Sequence, residues 1–431
     1  MRMIVFTLCL ITLIVSTLSV PITDFLARPV RYDNHKLIQL KRSDAALDFI
    51  SKNNLDIWHK ASDVLHVRAS PKDLESLAEF SPEVLIENIQ ESIDLETKSL
   101  KQAALAKRAV DDATWFQSYH TFTDIVQWLQ NLSQKYPDLV TLVPSIGKTT
   151  LGKDIPALRI TSKNGATKKK FWFQGLQHAR EWIATTTMQY VADGLASGYA
   201  TDASTKKLLD EAEIIIIPVS NPDGYEYTWN GDRLWRKNRR NNGGGVYGVD
   251  TNRNWPDHWN KGGSSTNPRD ETYMGPSAGS EPEVRALMNY FLQLGNIVGA
   301  IDYHSYGELI MWPYAWIDMD PMAVSQYILL GKTMKNAIQH VNPQERYQLQ
   351  QISKLYIASG SSSDWFYGDH VSQAQGFHGI SIAVELSPAD QQGVSNFILP
   401  AENIVPVGNE TLHSIIAFIE YALAGKFVAK S

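Results

Sequence analysis

The chain of 431 residues is 43% hydrophobic and 20% charged, which supplies a large core and exceeds the length of one average domain, so two domains are expected. Its formal net charge of −6 means that basic residues are not in excess, which argues against nucleic acid as a partner. The single cysteine, Cys9, lies near the N-terminus, which argues against disulfides, thiolate metal ligands and cysteine nucleophiles in the rest of the chain.

The N-terminus has the pattern of a secretory signal peptide. Arg2 precedes an apolar run over residues 4–15, and this run is shorter than the ~20 apolar residues that a membrane span needs. We therefore expect residues 1–20 to be removed, the protein to be secreted to the extracellular space, and no membrane anchor. Asn131 and Asn409 begin Asn-x-Ser/Thr sequons, which are candidate glycosylation sites on a secreted chain.

Residues 21–108 have the pattern of a small α+β domain. Ser70, Pro71 and Asp73 stand as N-cap, first helical residue and capping-box acid of a helix. The remaining elements expected here are extended or strand-like at 30–40, 55–59, 64–68 and 84–89, and helical at 45–50.

A polar helical segment over 91–108 follows this domain and ends in the dibasic pair Lys107-Arg108. The pair lies between two regions of different composition, because the first glycine of the chain is Gly147. We therefore expect a processing protease to cut there, although basic residues also favour helix ends through the helix dipole.

From residue 109 to residue 431, strand-like and helix-like runs alternate, which is typical of an α/β domain with a largely buried sheet. A capping box at Ser280–Glu283 is expected to open a helix that runs to Leu294. The other elements expected are strands at 170–176, 214–219, 298–303 and 379–384, and a helix at 181–195.

His178 and Glu181 place an imidazole and a carboxylate three residues apart, where a strand gives way to a helix. Zinc accepts both ligand types, and a catalytic zinc site has three protein ligands and an open position. His304 is the best third ligand because it follows the strand 298–303, and ligands collect beyond the carboxyl ends of strands in α/β sheets. The spacing alone is weak support among 11 histidines and 46 acidic residues, and a surface pair is the alternative interpretation.

The residues around these positions resemble the zinc carboxypeptidases of the A and B type. Over nearly all of 112–425 the matching segments occur in order, whereas 21–108 matches the family's propeptide in layout only. The matching segments are His178–Trp182, Asn221–Tyr225, Arg233–Lys237, Gly248–Trp255, Glu271–Tyr273, His304–Tyr306, Tyr356–Gly360, Asp364-Trp365 and Glu385-Leu386.

The resemblance implies a secreted zinc metallocarboxypeptidase made as a zymogen, with one Zn²⁺ per chain. It implies a mixed, largely buried sheet flanked by helices on both faces in a catalytic domain of residues 109–431. An inhibitory propeptide domain with a connecting helix would occupy residues 21–108. The expected partners are peptide or protein C-termini as substrate and the chain's own propeptide as inhibitor, and the expected state is a monomer.

The resemblance also implies the roles of individual residues. Glu385 would be the general base toward a zinc-bound water, and Arg236 would stabilise the oxyanion. Asn252, Arg253 and Tyr356 would hold the free terminal carboxylate of the substrate, which makes the enzyme an exopeptidase.

In B-type enzymes, the floor of the pocket for the released side chain carries an acid. The matching residue here is the uncharged Ser363, with Ala383 and Ala315 nearby and Gln351 as a further candidate. We therefore expect release of neutral C-terminal residues, aliphatic or aromatic, with aromatic ones favoured.

Arg180 and Tyr306 would line the next subsite. Two departures from the family are visible: Val246 and Arg269 stand where many relatives hold a disulfide, and the segment after Glu385 lacks the usual charged run. The access to the site is therefore expected to differ from that of these relatives.

Two other functions stay open at this point. A catalytically silent secreted pseudo-carboxypeptidase with a binding or assembly role would have the same fold, but the presence of Glu385 and Arg236 argues against it. A hydrolase of non-peptide acyl groups would not need a clamp for a terminal carboxylate, so Asn252, Arg253 and Tyr356 argue against that function.

Overall fold

A computed structural model describes residues 29–61, 63–106, 112–164, 168–321, 323–368, 379–387 and 396–427. The predicted signal peptide at 1–20, the dibasic pair Lys107-Arg108 and most of the segment after Ser387 lie outside the described residues.

Eight of the twelve strands in the described residues match segments expected from the sequence, whereas those at 140–143, 157–160, 309–312 and 348–351 were not expected. In chain order they are β1 (Lys36–Lys41), β2 (Asp56–Lys60), β3 (Val64–Ala69), β4 (Glu83–Ile86), β5 (Val140–Val143), β6 (Ala157–Ile160), β7 (Lys169–Gly175), β8 (Ala212–Ile217), β9 (Ile297–Ser305), β10 (Leu309–Trp312), β11 (Gln348–Gln351) and β12 (Ile380–Leu386).

The α-helices lie between these strands and at the end of the chain. They span Asp44–Lys52, Pro71–Leu77, Ile89–Ala106, Phe122–Lys135, Trp182–Gly198, Ala203–Glu211, Pro222–Asn230, Pro282–Leu294, Val324–Val341, Ile352–Leu355, Ser362–Tyr367 and Ile404–Leu423. Among the described residues, none of these helices is long and apolar enough to cross a bilayer.

The N-terminal unit is a four-stranded antiparallel sheet in the order β2-β3-β1-β4. Apolar side chains of β1 and β3 pack with those of its two short helices around Ile38, Ala46 and Leu77. The capping box predicted at Ser70 is present, since the hydroxyl accepts from the Asp73 amide at 3.3 Å and the Asp73 carboxylate accepts from the Ser70 amide at 2.9 Å.

The C-terminal unit is built on an eight-stranded sheet in the order β11-β10-β12-β9-β7-β8-β6-β5. The strands β12, β9, β7 and β8 are parallel to one another, and β6, β5 and β10 join by antiparallel pairing. Side chains alternate between two faces, so Phe171 and Phe173 enter one core while Trp172 enters the other. The predicted mixed, buried sheet with helices on both faces is confirmed.

The predicted capping box at Ser280 is wrong. The helix Pro282–Leu294 begins after Glu281 as N-cap, without a side-chain capping bond. Glu283 is fully buried and its carboxylate accepts from the Thr150 amide at 2.8 Å and from Asn238 at 3.1 Å. Because these buried donors need an acceptor, the Glu283 carboxylate bonds to them and does not cap the helix.

The loop between Val246 and Arg269, the two positions at which many of the similar enzymes hold a disulfide, is held by other contacts. Lys237 Nζ donates to the carbonyls of Pro268 and Asp270 at 2.8 and 3.0 Å. On the other side of the loop, the guanidinium of Arg239 lies 4.8 Å from the ring centroid of Tyr247. These contacts tie the two ends of the loop to one segment of chain.

Candidate active site

Three predicted metal ligands meet at the carboxyl ends of the parallel strands. His178 follows β7, Glu181 is the N-cap of the helix Trp182–Gly198, and His304 lies near the end of β9. The Glu181 carboxylate oxygens lie 2.9 Å from Nδ1 of His178 and 3.1 Å from Nδ1 of His304, and the two Nδ1 atoms are 3.1 Å apart. All three side chains are buried.

The spacing of these atoms fits zinc. Tetrahedral zinc with bonds of about 2.0–2.2 Å to nitrogen and oxygen places neighbouring ligand atoms roughly 3.3 Å apart, close to the observed separations. Burial would raise the pKa of Glu181, but the adjacent His178 and His304 outweigh it and lower that pKa. The chemistry of the donor set and its geometry therefore agree on one zinc ion.

Each histidine is backed by a carboxylate on its far nitrogen. Nε2 of His178 lies 3.2 Å from Asp250, and Nε2 of His304 lies 2.7 Å from Asp302. Such contacts orient the ring and leave the other nitrogen for the metal. Sequence reasoning missed both acids, although Asp302 stands two residues before His304 on one strand, a spacing that puts both side chains on the same face.

Arg236 lies beside the cluster and is held in place from behind. Its Nη2 and Nε donate to the Asp250 carboxylate at 2.9 and 3.3 Å, so one acid supports both a histidine and an arginine. Burial would raise the pKa of Asp250, but Arg236, Arg253 and His178 lower it well below its usual value. Asp250 is therefore an anion that fixes the guanidinium next to the metal ligands.

Glu385 is partly buried near the end of β12, and its backbone is paired in register with that of His304 on β9. It lines the same cleft as His178, Glu181 and Arg236. Burial raises its pKa to about 8, with Glu181 adding to the effect while His304 and Arg236 oppose it. A dication bound nearby would act in the opposite direction and favour the carboxylate.

Asn252 and Arg253 lie side by side in a short turn below the cluster. The Asn252 carboxamide oxygen accepts from the Ser362 amide at 2.9 Å. The Arg253 guanidinium donates to the carbonyls of Asn252 and Gly263 and lies 5.5 Å from the ring centroid of Tyr356. The structure thus brings together all three residues of the predicted carboxylate clamp.

Residues 125–414 match the sequence profile of the zinc carboxypeptidases. The chain belongs to the zinc carboxypeptidase family. A metallocarboxypeptidase A-like protein of Trichophyton verrucosum is 32% identical over 406 residues, 89% of this chain and 92% of that protein. Carboxypeptidase A5 of Homo sapiens is 33% identical over 358 residues, 82% of this chain and 79% of that protein.

Two solved structures have the same fold over most of the chain. Carboxypeptidase A from Helicoverpa armigera superposes with a TM-score of 0.81 at 29% identity, over 91% of this chain and 98% of that one. Thrombin activatable fibrinolysis inhibitor superposes with a TM-score of 0.79 at 25% identity, over 91% of this chain and 100% of that one. The protein is a zinc-dependent metallocarboxypeptidase, a hydrolase that acts on peptides.

A small cavity of about 30 Å³ lies beyond the clamp of this zinc carboxypeptidase. Ser363 and Ala383 line it, together with Met311, Ile352 and Leu355. Ala315, also expected here, is not among the lining residues and packs in the apolar cluster with Met311 and Ala383. Gln351 was a further candidate, but its carboxamide donates to the carbonyls of Tyr314, Ile317 and Met319, so it is used to hold that loop.

The strand β2 of the N-terminal unit lies across the cleft, which has a volume of about 460 Å³. Asp56 at its start binds Arg180, with Nη1 of the arginine 3.0 and 3.1 Å from the two carboxylate oxygens. The ring of His59 stacks on Tyr306, with centroids 5.8 Å apart. Arg180 and Tyr306, the predicted next subsite, are therefore both covered by this strand, and Asp56 was missed because no local pattern marks it.

The predicted glycosylation sites both lie in helices. Asn131 is in the helix Phe122–Lys135 and accepts from Gln127 at 3.0 Å, and Asn409 is in the helix Ile404–Leu423. Both residues are partly exposed. Their glycosylation stays a prediction.

A serine nucleophile has no support here, although Gly275–Gly279 reads G-x-S-x-G. Its serine, Ser277, is exposed in a loop, whereas a nucleophile elbow requires a strand-to-helix turn. The motif therefore lacks the structural setting for catalysis.

Proposed function

We propose that this zinc carboxypeptidase is an exopeptidase that removes single C-terminal residues, with Glu385 as general base and Arg236 as oxyanion stabiliser. The observation that carries the proposal is the convergence of Glu385, Arg236 and the Asn252-Arg253 pair on the ligands of one metal. A silent homologue would not need a base and an oxyanion donor in the same cleft.

When bound, zinc polarises the scissile carbonyl and makes water nucleophilic near neutral pH. Glu385 takes the proton from the attacking water and then gives it to the leaving amine, which requires the ionised carboxylate at the start. Arg236 donates to the oxygen that gains negative charge. Because Asp250 already fixes the guanidinium, little reorganisation is needed at the moment of reaction.

Asn252 and Arg253 supply the selectivity for a free C-terminus. A buried arginine beside a carboxamide binds a carboxylate by charge and by directed hydrogen bonds. An internal peptide bond offers no carboxylate at this position, so Arg253 gains no charge partner beyond Asp250, which lies 3.9 Å from its Nη1. Tyr356, which borders both the cleft and the small cavity, closes over the bound terminus.

The released residue is proposed to be neutral because, apart from the metal-site histidines, Glu385 and the clamp residues, the side chains that line the cavity are apolar or carry hydroxyls. A small aliphatic side chain fits the cavity of about 30 Å³ with least rearrangement. An aromatic side chain needs more space, which the unbranched side chain of Met311 can provide by changing rotamer at low cost. Both classes are therefore proposed substrates.

The secreted form is proposed to be latent, with residues 21–108 as an inhibitory propeptide that is released by cleavage after Arg108. Support comes from two contacts of this region with the rest of the chain. Asp56 binds the side chain of Arg180, and Arg233 donates from Nε and Nη2 to the two carboxylate oxygens of Glu96 at 2.6 and 3.0 Å. The match to Helicoverpa armigera carboxypeptidase A covers 91% of this chain, more than residues 109–431 alone provide. We further propose that 1–20 is a signal peptide and that the enzyme is an extracellular monomer.

The test uses the processed protein and peptides that differ only in their last residue. Mass spectrometry should detect loss of one C-terminal residue from peptides ending in leucine or phenylalanine, and none from the same peptides with an amidated C-terminus. A zinc chelator should stop the reaction. Internal cuts or chelator-resistant turnover would contradict the proposal, and zinc binding without any turnover would favour the pseudo-carboxypeptidase.

A further inference from the structure

Gln351 is a fully buried carboxamide whose hydrogen bonds all go to one neighbouring loop, residues 314–319. Its Nε2 lies 3.2, 3.3 and 2.8 Å from the carbonyl oxygens of Tyr314, Ile317 and Met319. These carbonyls fix the orientation of the carboxamide, because the opposite orientation would set its oxygen against three other oxygens. Within the part of the chain that the structure describes, Oε1 is buried without a donor.

The chain that follows Gln351 forms one wall of the small cavity, and we call residues 352–358 the wall segment. Its lining side chains are those of Ile352, Leu355, Tyr356 and Ala358. The segment has little secondary structure to hold it. It begins where β11 ends, and β11 is an edge strand that pairs with β10. The helix Ile352–Leu355 has only four residues, and Gln351 is its N-cap without giving it a side-chain capping bond.

We propose that Gln351 is a positioning residue that holds the wall segment against the loop 314–319 and thereby favours aliphatic over aromatic side chains in the cavity. The proposal rests on the proposed exopeptidase function, because it concerns the side chain of the residue that is released.

Two backbone hydrogen bonds also join the wall segment to the loop. The Ser353 amide donates to the Tyr314 carbonyl at 3.2 Å, and the Ala358 amide donates to the Ala315 carbonyl at 2.8 Å. They lie near the two ends of the wall segment, so the middle of the segment depends on how firmly its ends are held.

Side-chain contacts between the wall segment and the loop differ in burial. Lys354 pairs with Asp318 at 2.5 Å, but both side chains are more than half exposed, and an exposed ion pair adds little stability. Gln351 is 1% exposed and contacts three carbonyls of the loop. Because buried hydrogen bonds are costly to break, Gln351 is the main side-chain link between the two segments.

The loop 314–319 is itself held firmly from its other side. The Asp364 carboxylate accepts from the amides of Ala315 and Trp316 at 2.9 and 3.2 Å. The ring of Trp316 stacks on His258, with centroids 3.8 Å apart. Asp364 thus binds amides of the loop while Gln351 binds its carbonyls, so the loop gives the wall segment a rigid support.

A rigid wall segment limits how the cavity can enlarge. The cavity of about 30 Å³ has to widen more for an aromatic side chain than for an aliphatic one. While Gln351 holds the wall segment, the added space comes from a rotamer change of Met311 on the opposite side. A loosened wall segment would give further space through movement of Ile352 and Leu355. Gln351 therefore disfavours aromatic residues more than aliphatic ones.

The experiment compares the wild type with Gln351→Met, which keeps the length of the side chain and removes its donors, both as the processed zinc enzyme. It measures kcat/KM for peptides that end in phenylalanine or leucine, and Kd for N-acetyl-phenylalanine and N-acetyl-leucine by calorimetry. Both ratios of phenylalanine to leucine should shift toward phenylalanine by at least about fivefold. A purely structural role would lower the melting temperature and leave these ratios unchanged.

Gln189→Met is the matched control. Gln189 is also fully buried, but its Nε2 donates to the Thr185 carbonyl at 3.1 Å and its Oε1 accepts from Trp115 at 2.9 Å. It lines neither the cleft nor the small cavity. Its two ratios should equal those of the wild type, even where its stability falls.

Met311→Ile provides the test if Gln351→Met fails to fold. A β-branched side chain changes rotamer less freely, so with the wall segment held, phenylalanine should lose at least about fivefold relative to leucine in both measurements. Unchanged ratios in Gln351→Met, or equal losses for both residues in Met311→Ile, would overturn the proposal. Absence of C-terminal cleavage by the wild type would refute the exopeptidase function alone, because the ratio of Kd values does not depend on turnover.

Discussion

Asp56 and Arg180 form a buried ion pair between the N-terminal unit and the wall of the catalytic cleft, with Nη1 3.0 and 3.1 Å from the carboxylate oxygens. Burial would raise the pKa of Asp56, but Arg180, Arg68 and the Trp58 N–H lower it to about 2. Within the part of the chain that the structure describes, Nε of Arg180 has no hydrogen-bond acceptor. The Arg180 side chain is thus engaged by strand β2, and in the proposed zymogen it becomes free for a substrate when that strand leaves.

Asp56→Asn should raise the activity of the uncut full-length protein. Removing one member of a buried ion pair costs about 3–5 kcal/mol, and this loss falls on the docked state, so we expect at least a tenfold higher rate. The measurement is the initial rate on a leucine-ending peptide, with intact mass confirming that the chain is uncut. Asp33→Asn, on the same unit but exposed and paired with Arg31, is the control, and equal rates for both variants would contradict the prediction.

Acid should loosen the docking of strand β2. Burial lowers the pKa of His59, and burial together with His59 lowers the pKa of His66 to about 4. A histidine pKa depressed in the docked state means that docking is fully stabilised above about pH 6.5 and loses stability as pH falls toward 4. Roughly 1–2 kcal/mol should be lost by pH 5.

Hydrogen exchange of the uncut protein tests this pH dependence. Amides of β2 should exchange faster at pH 5 than at pH 7 after correction for intrinsic rates, while those of β7 should not. His66 faces His59, Tyr306 and Gln39, whose carboxamide oxygen lies 3.2 Å from its Nε2. His66→Gln should reduce the difference, and a β2 that is equally protected at both pH values would refute the prediction.

Glu385→Gln should abolish turnover and retain the metal. Loss of a general base costs about 10²–10⁴ in rate, and Glu385 is not among the three side chains that converge on the metal position. The checks are kcat/KM of the processed variant and its zinc content. A variant with normal turnover would remove Glu385 from the mechanism.

Ser363→Asp should change which residue is released. A carboxylate at this buried position needs a cation, so turnover of arginine- or lysine-ending peptides should rise while that of leucine-ending peptides falls, each by at least about tenfold. The ratio of kcat/KM values measures the switch. Ser361→Ala, in the same cavity, is the control for removal of a hydroxyl, and an unchanged ratio in Ser363→Asp would place the specificity elsewhere.

Much of the fold was predictable because its signals are local. The apolar run at 214–219 and the alternating run at 170–176 lie within or beside buried strands, and the capping box at Ser70 was read correctly. The three residues of the candidate metal site, His178, Glu181 and His304, were expected from their positions at strand ends together with the resemblance of the surrounding segments to the zinc carboxypeptidases.

The unpredicted features depend on contacts between distant residues. Glu283 fails as a capping residue because Thr150 and Asn238, far away in the chain, need its carboxylate. Nothing in the local sequence distinguishes Asp56 from other acids in strands, because its role depends on the contact with Arg180. Met311 was not predicted either, because its place in the small cavity depends on how β10 packs beside β12.

The parallel register that sets Glu385 opposite His304 also bears on how the protein folds. A slip of one residue in β12 would turn Glu385 to the other face of the sheet. The candidate metal ligand His304 and the proposed base Glu385 therefore become neighbours in a single event, the correct pairing of two strands distant in sequence. In a refolding experiment, recovery of activity should follow the formation of this strand pair, and a collapsed chain that has not formed it should be inert.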